Sequence, residues 1–528
     1  MTTRRVPAFR RLLPVLAALS LAALVLAGCG GSGKASAVAG AAGTDGRAAQ
    51  AFPPSSQAFF DANIDEGSAS WKQLLALGAR FPGWSKVVAD FQQSLTKDAK
   101  AGDPTFADVK AWLGNEAGIG VIDIPADGSD PDWMAFADVT DRKALEASFK
   151  KDPATVAGGT HGGFDLLTDK TDSSVVAISD DTLLVGTSQA IVEAGIDRLA
   201  GTGDRLSDLQ TYTDTLATLP TDNLAVGYAP GSVVKKLVLL GKKNDPTGQS
   251  AAVTQSQFDK VYAKLAAGVR SFGFSFNATD KGIRTRFTTL YDGTQEKGAE
   301  PYSPELLSHV PANSWFAAST GPLGDQISKA ITEATTTNAD AQKQISGAET
   351  MLGVKLDDVL ALFSGETALY AGPGAPVSAG AIMHPKDAEA GATTIRALTR
   401  VLTQQGIKFT DTADGQSAAV QGFAVRWRHV ADVLGIGTDA TVGDTAKDSF
   451  ADSDKYKNIL AEDGIDSGAK TLGVAYLDVP SLVDLASAFG GFNDNQEALD
   501  NLKHVGGVLV WRGQDGDTVT NDLFVEIT

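Results

Sequence analysis

The chain has a single cysteine, Cys29, which stands directly after the run Leu26-Ala27-Gly28. One thiol cannot form a disulfide framework, and it cannot supply the several sulfur ligands of a zinc or iron–sulfur site. A thiol near the N-terminus can instead be alkylated by a lipid, whose acyl chains then hold the protein at a membrane. Cys29 is therefore the residue whose type and position predict the most specific chemistry in the chain.

The residues before Cys29 have the pattern of a secretory signal. Four arginines fall within the first eleven residues, ahead of the apolar run 12–26. That run has fewer residues than the roughly 17–25 that a membrane-spanning helix needs. A basic, then apolar, then small-residue order is typical of a cleaved signal. We expect residues 1–28 to be a signal peptide and not a permanent membrane span.

The sequence Leu26-Ala27-Gly28-Cys29 resembles the lipobox of bacterial lipoproteins. The resemblance implies that a signal peptidase recognises Leu26, Ala27 and Gly28 and cuts before Cys29. It also implies that Cys29 is the lipidation site, carrying a diacylglycerol with chains such as palmitate. The expected location is then the cell membrane, with the protein lipid-anchored on the extracytoplasmic side.

Two glutamates form the clearest pair of candidate acid–base groups. Residues 106–121 align without gaps on residues 356–371, and this alignment pairs Glu116 with Glu366. A glycosidase needs two carboxyl groups roughly 5–10 Å apart across one cleft. Equivalent residues of two lobes need not converge, so we expect each glutamate to end its helix or face solvent. The sequence predicts no catalytic residue.

Other polar patterns favour structural roles over metal or cofactor binding. The four aspartates within 123–132 do not follow the order of an EF-hand loop, which leaves weak calcium binding or a solvated turn. The run 435–440 fits a loose Gly-x-Gly-x-x-Ala pattern, but a strand-ending turn explains it better. The strip 426–429 could bind an anionic polymer, or it could form a strand that points Trp427 into the core. We therefore expect no cofactor. We also expect no metal, because the five histidines are far apart in sequence: His161, His309, His384, His429 and His504.

The composition limits the partners of the protein. The 528 residues include 45 Lys and Arg against 64 Asp and Glu, which gives a net charge of −19. An anionic surface repels phosphate, so nucleic acid is not expected as a partner. The hydrophobic share of 43% is sufficient for large folded cores.

The order of predicted elements indicates an α+β fold built from an internal duplication. Residues 29–51 contain six Gly, eight Ala and two Ser without a periodic apolar face, which predicts a flexible Gly/Ala-rich tether. Predicted helices and strands then follow the same order in 52–300 and in 301–528. Adjacent strands without intervening helices favour antiparallel pairing. We expect two similar lobes, each a largely antiparallel sheet with packed helices.

The opening of the first lobe, from Pro54 through Phe81-Pro82-Gly83, resembles bacterial envelope proteins that carry the domain of unknown function 3352. Its features are an aromatic strand followed by a helix that contains Trp71. The resemblance implies an extracytoplasmic protein without an assigned activity, and it supplies no functional residues.

Two classes of function remain open from the sequence. The favoured one is a non-enzymatic binding or scaffolding protein of the cell envelope. Two lobes create a cleft between them, a common place for ligands, and we expect a lipid, a cell-wall fragment or a protein there. The alternative is an extracytoplasmic hydrolase that acts on cell-wall glycan or peptide. The lack of a recognisable nucleophile favours the first class.

Overall fold

The computed structural model describes residues 46–89, 106–125, 129–149, 155–170, 173–233, 236, 268–293, 300–337, 339–374, 377–420, 422–488 and 495–528. The chain divides into two compact units. Unit 1 comprises residues 1–295, 515–520 and 527, and unit 2 comprises 296–514, 521–526 and 528. The sequence places this boundary a few residues later, between 300 and 301.

Unit 1 contains an antiparallel sheet whose strand order is β4-β5-β6-β7-β3-β2-β1-β8-β9-β10. The strands are β1 Ala58–Asn63, β2 Leu113–Asp123, β3 Asp132–Val139, β4 Thr155–His161, β5 Phe164–Asp169, β6 Val175–Ile178, β7 Thr182–Gly186, β8 Ala225–Pro230, β9 Val269–Thr279 and β10 Gly282–Tyr291.

Helices pack on both faces of this sheet. They are α1 Arg47–Ala51, α2 Ala69–Gly78, α3 Phe106–Lys110, α4 Arg142–Phe149, α5 Gln189–Leu199 and α6 Gln210–Ala217. One face meets α1, α5 and α6 in a core that contains Phe59, Phe136 and Tyr228. The other face meets α2, α3 and α4 in two smaller clusters. Helix α2 begins where the Ser68 hydroxyl accepts a hydrogen bond from the backbone N–H of Trp71, which satisfies a free amide of the first turn.

Unit 2 contains an antiparallel sheet with the order β14-β15-β16-β17-β13-β12-β11-β18-β19, and β20 pairs with β19. The strands are β11 Phe316–Thr320, β12 Thr367–Pro373, β13 Val377–Met383, β14 Phe409–Asp411, β15 Gly415–Val420, β16 Phe423–Val430, β17 Val433–Gly437, β18 Gly473–Asp478, β19 Val505–Asp515 and β20 Thr518–Ile527.

The helices of unit 2 also flank both faces of its sheet. They are α7 Gly324–Thr337, α8 Ala339–Leu352, α9 Leu356–Ala361, α10 Ala388–Gln404, α11 Asp454–Glu462, α12 Val479–Ala488 and α13 Gln496–Leu502. The larger core joins the 3₁₀ helix Glu305–His309 and α11 to one face, around Phe450, Tyr456 and Phe524. The smaller core joins α9 and α10 to the other face, around Met383 and Leu434.

The α+β class and the antiparallel pairing expected from the sequence are confirmed. The predicted tether over 29–51 is wrong at its C-terminal end, because Arg47–Ala51 form helix α1. Ala48, Ala49 and Ala51 are buried. A Cβ added to Gly118 of β2 would lie 2.6 Å from the Cβ of Ala48. The alanines thus provide a close helix–sheet contact, which a search for larger apolar residues does not detect.

None of the described helices combines the length and apolarity needed to cross a membrane. Cys29, its neighbours Leu26, Ala27 and Gly28, and most of the predicted tether lie outside the residues that the structure describes.

Candidate functional site

Glu116 holds the N-terminus of helix α1 against the sheet of unit 1. Its Oε2 accepts a hydrogen bond of 3.0 Å from the backbone N–H of Arg47, and its Oε1 accepts one of 2.8 Å from that of Ala48. The first N–H groups of a helix have no partner within the helix, and a carboxylate both satisfies them and complements the helix dipole. Glu116 therefore fixes the entry of the chain into unit 1.

A second carboxyl group, that of Asp61, lies beside Glu116. In the pairing of β1 with β2, Asn63 lies opposite Glu116, and Asp61 is two residues away on the same face. Asp61 is only 5% exposed. Burial and the adjacent negative charge of Glu116 raise the pKa of Asp61 well above its ordinary value. Each of these two neighbouring carboxyl groups therefore disfavours ionisation of the other.

The Arg47 side chain connects α1 to two further carboxylates. Its guanidinium donates to Asp138 at 3.1 Å, to Asp181 at 3.0 Å and to the Thr182 hydroxyl at 2.8 Å. Burial raises the pKa of Asp138, and the opposite charge of Arg47 counteracts this rise. Helix α1 is thus attached through its backbone to Glu116 and through this side chain to β3 and β7.

Unit 2 has a related arrangement at Glu366, just before β12. Its Oε1 accepts hydrogen bonds from the backbone N–H of Leu306 at 3.0 Å and from the Ser319 hydroxyl at 2.6 Å. Leu306 belongs to the first turn of the 3₁₀ helix Glu305–His309. Burial raises the pKa of Glu366 to about 7, although the hydrogen bonds from Ser319 and Leu306 lower it. Tyr302 lies 2.9 Å from the Ser319 oxygen and completes the chain of hydrogen bonds.

The two glutamates therefore differ from the sequence expectation in one respect. Neither ends its own helix or faces solvent, since Glu116 and Glu366 both accept hydrogen bonds from the first turn of a short helix elsewhere in the chain. Asp61, Arg47 and Ser319 were not anticipated from the sequence. An aspartate directly after the apolar run 58–60 of β1 was a signal that could have identified Asp61.

The basic–aromatic strip has the strand structure that the structural interpretation predicts. Trp427 of β16 is buried and its indole N–H donates to Gln416 at 3.1 Å. The Arg428 guanidinium lies between Asp414 at 2.6 Å and Asp444 at 2.7 Å. This guanidinium is already neutralised by two carboxylates, so it offers little charge to an anionic polymer.

The run 435–440 is not a nucleotide-binding turn. It begins in β17, an antiparallel strand that is followed by turns and no helix, whereas the dinucleotide pattern needs a parallel strand that leads into a helix. A Cβ on Gly435 would lie 2.7 Å from the backbone of Val442, and one on Gly437 would lie 2.5 Å from the carbonyl oxygen of Ala379. These glycines permit close approach of neighbouring backbone.

The described carboxylates and histidines are not gathered into a metal site. Among the residues with described positions, no group of three or more His, Cys, Asp or Glu could hold a metal ion. In the acidic segment 123–132, Asp123 pairs with Lys236 at 2.7 Å, and Asp132 accepts a hydrogen bond from Thr187 at 2.9 Å. Asp127 lies outside the described residues.

Comparison with known proteins gives a family and no activity. The family described as Protein of unknown function (DUF3352) matches residues 15–421. No curated protein matches the chain. Among solved structures, three crystal forms of TP0453, a treponemal lipoprotein, are distantly similar.

Crystal form III of TP0453 has 7% identity and a TM-score of 0.27, and the match covers 47% of this chain and 82% of TP0453. Form IV has 6% identity and a TM-score of 0.26, covering 46% and 80%. Form I has 8% identity and a TM-score of 0.27, covering 47% and 80%. Similarity at this level supports no inference about the role of the present chain.

Proposed function

The chain belongs to the DUF3352 family, whose function is unknown, and from its own residues we propose that it is a lipid-anchored protein of the cell envelope. Acyl chains on Cys29 hold it at the cell membrane, on the extracytoplasmic side. There it binds or scaffolds other molecules and does not catalyse a reaction.

The hydrogen bonds that Glu116 and Glu366 accept from backbone amides are the observation on which the non-enzymatic part of this proposal rests. A hydrolase needs a carboxyl group that can exchange a proton with substrate or water. Both glutamates accept hydrogen bonds from backbone amides of the segment that enters their unit. A carboxylate that left this position would expose unsatisfied amides, which costs about 1–3 kcal/mol for each buried group.

The docking of α1 supports the anchoring part. Helix α1 begins at Arg47, eighteen residues after Cys29 in the sequence. The helix is held by Glu116 and by burial of its alanines. A protein tied to a membrane through its N-terminus needs such an attachment, because otherwise the first residues of the domain would fray.

We further propose that the two units arose by internal duplication. Their strand orders coincide when β1–β9 are matched with β11–β19. Glu116 and Glu366 then occupy equivalent positions and perform equivalent tasks. A nine-strand order that is not the sequence order has many alternatives, so its repetition supports a common origin.

The anchor is tested by expressing the full chain with Cys29→Ala in cells that secrete lipoproteins. We expect loss of palmitate incorporation and release of the protein from the membrane fraction. Ser32→Ala, which alters a residue outside the lipobox, serves as the control and is expected to stay lipidated. Palmitate labelling and membrane retention of the Cys29→Ala variant equal to those of the control would refute the proposal.

A further inference from the structure

One face of the unit 2 sheet exposes a continuous apolar surface. Leu369 of β12, Ala318 of β11, Ala475 of β18 and Val510 of β19 are paired in register, strand after strand. Leu369 is 46% exposed and Val510 is 45% exposed. We name these four residues the apolar row. Single exposed apolar residues are common, but a row across four neighbouring strands marks a binding surface.

The next row on the same face is also apolar. Ala371, Phe316, Leu477 and Val508 are paired in register on the same four strands, and all of them are partly exposed. On the opposite face of these strands the corresponding residues, such as Ala317 and Leu509, are buried in the large core of unit 2. The exposed apolar character therefore belongs to one face and is not a general property of the strands.

The shape of the apolar row suits a slender ligand. Alanines occupy its two middle positions, between the larger Leu369 and Val510. Three strand spacings of about 4.8 Å give the row a length of about 14 Å. An acyl chain spans one leaflet of a hydrocarbon core that is about 30 Å thick in total, so its length is about 15 Å.

A cation lies at one end of the row. Arg512 follows Val510 by two residues on β19, so both side chains point to the same face about 7 Å apart along the strand. Arg512 is exposed, and no described residue forms an ion pair with its guanidinium. The positive charge of Arg512 complements an anionic head group.

The alternative occupant of this face is a second copy of the chain. The net charge of −19 on each copy opposes that association.

We propose that this face of unit 2 binds a fatty acid, with the acyl chain along the apolar row and the carboxylate at Arg512. The proposal specifies the ligand class for the binding role proposed above and rests on that role. It does not depend on the membrane anchor, so loss of anchoring in the Cys29→Ala variant and loss of fatty-acid binding are separate outcomes.

The first test measures binding of oleic acid to the purified full chain, below the concentration at which oleate forms micelles. We expect saturable binding with one molecule per chain, and about tenfold weaker binding for Leu369→Asp and for Val510→Asp, because each places a charge against the acyl chain. Met351→Asp on α8 is the matched control, since Met351 is apolar and 73% exposed but lies elsewhere. Its affinity should equal that of the wild type.

The second test separates the contribution of the fatty-acid carboxylate to binding from the contribution of the acyl chain. Arg512→Gln should weaken oleate binding about fivefold and leave the binding of oleyl alcohol unchanged, because only the carboxylate makes a charge-assisted hydrogen bond. Thermal unfolding of each variant should match that of the wild type, which shows that the fold is retained.

Three results would overturn the proposal. The first is the absence of saturable oleate binding to a folded wild-type chain. The second is equal binding by the Leu369→Asp, Val510→Asp and Met351→Asp variants. The third is a dimer that dissociates in the Val510→Asp variant, which would identify a second copy of the chain as the occupant of this face.

Discussion

Replacing Glu366 with glutamine should remove a defined pH dependence from the stability of unit 2. Burial raises the pKa of this carboxyl group from 4.5 to about 7 in the folded protein. A carboxyl group with a raised pKa favours folding at low pH, where it is protonated in both states. This advantage is lost as the pH rises from the unfolded pKa through the folded pKa, because the unfolded state then ionises more readily.

The size of the effect follows from the two pKa values. Each pKa unit corresponds to about 1.4 kcal/mol, so the free energy of unfolding of the wild type should fall by about 3 kcal/mol in total. About 2–3 kcal/mol of this fall lies between pH 5 and pH 8. Glutamine does not titrate, but its side-chain oxygen can still accept hydrogen bonds from the Leu306 N–H and the Ser319 hydroxyl.

The assay is urea denaturation of the full chain at pH 5, 6, 7 and 8. Relative to the wild type, Glu366→Gln should gain about 2–3 kcal/mol of stability between pH 5 and pH 8. Glu305→Gln provides the control, since it removes an exposed carboxylate from the first position of the same 3₁₀ helix. The loss of its charge should lower the pKa of Glu366 slightly and leave the pH dependence in place. A stability difference between wild type and Glu366→Gln that stays constant across this pH range would refute the burial argument.

Two further substitutions test the attachments within each unit. Glu116→Ala should destabilise unit 1 by about 2–4 kcal/mol by removing the acceptor of two amides, and hydrogen exchange at Ala48 should accelerate; unchanged exchange would contradict the docking of α1. Arg428→Ala should cost about 1–3 kcal/mol because Asp414 and Asp444 lose their shared partner. Arg428→Lys should recover only part of this loss in the same urea assay, since one ammonium cannot reach both carboxylates as a guanidinium does, and full recovery would contradict the bridging role.

The long hairpins and the central strands could be predicted from the sequence because their signals are local. Alternating apolar residues mark β8 and β18, and the turn at Asp280-Lys281-Gly282 marks the hairpin of β9 with β10. Asp387 caps the N-terminus of helix α10, where its side chain accepts a hydrogen bond from the Ala390 N–H, and an aspartate just before a periodic apolar segment is a local signal for a helix start. In each case the determining residues lie within a few positions of one another.

The meander β4-β5-β6 could not be predicted in the same way. Strand β4 contains Gly158 and Gly159, and its pairing with β5 is irregular between Ala157 and Gly159. A bulge breaks the period of two on which strand prediction depends. Strand β4 is partly exposed and is defined by its hydrogen bonds to β5. An alternation of apolar and polar residues in the sequence does not reveal such pairing.

Helix α1 illustrates a stronger limit. A helix of five residues is unstable on its own, and its partner Glu116 is 69 residues away in the sequence. The docking of this helix is therefore a tertiary effect. The alignment that pairs Glu116 with Glu366 was the available signal, but it identified the carboxylates without their hydrogen-bond donors.

The two glutamates have different neighbours. The role that they share is therefore one that does not depend on those neighbours. Asp61 of β1 lies next to Glu116, whereas Ser319 of β11 donates a hydrogen bond to Glu366. A catalytic carboxyl group depends on the charge and proton affinity of its neighbour, so replacing a carboxyl group by a hydroxyl would change its chemistry. An acceptor for backbone amides needs only to remain in place. The feature common to both units is the attachment of the entering segment, and any ligand of this protein is therefore to be sought away from these glutamates, at surfaces such as the apolar row.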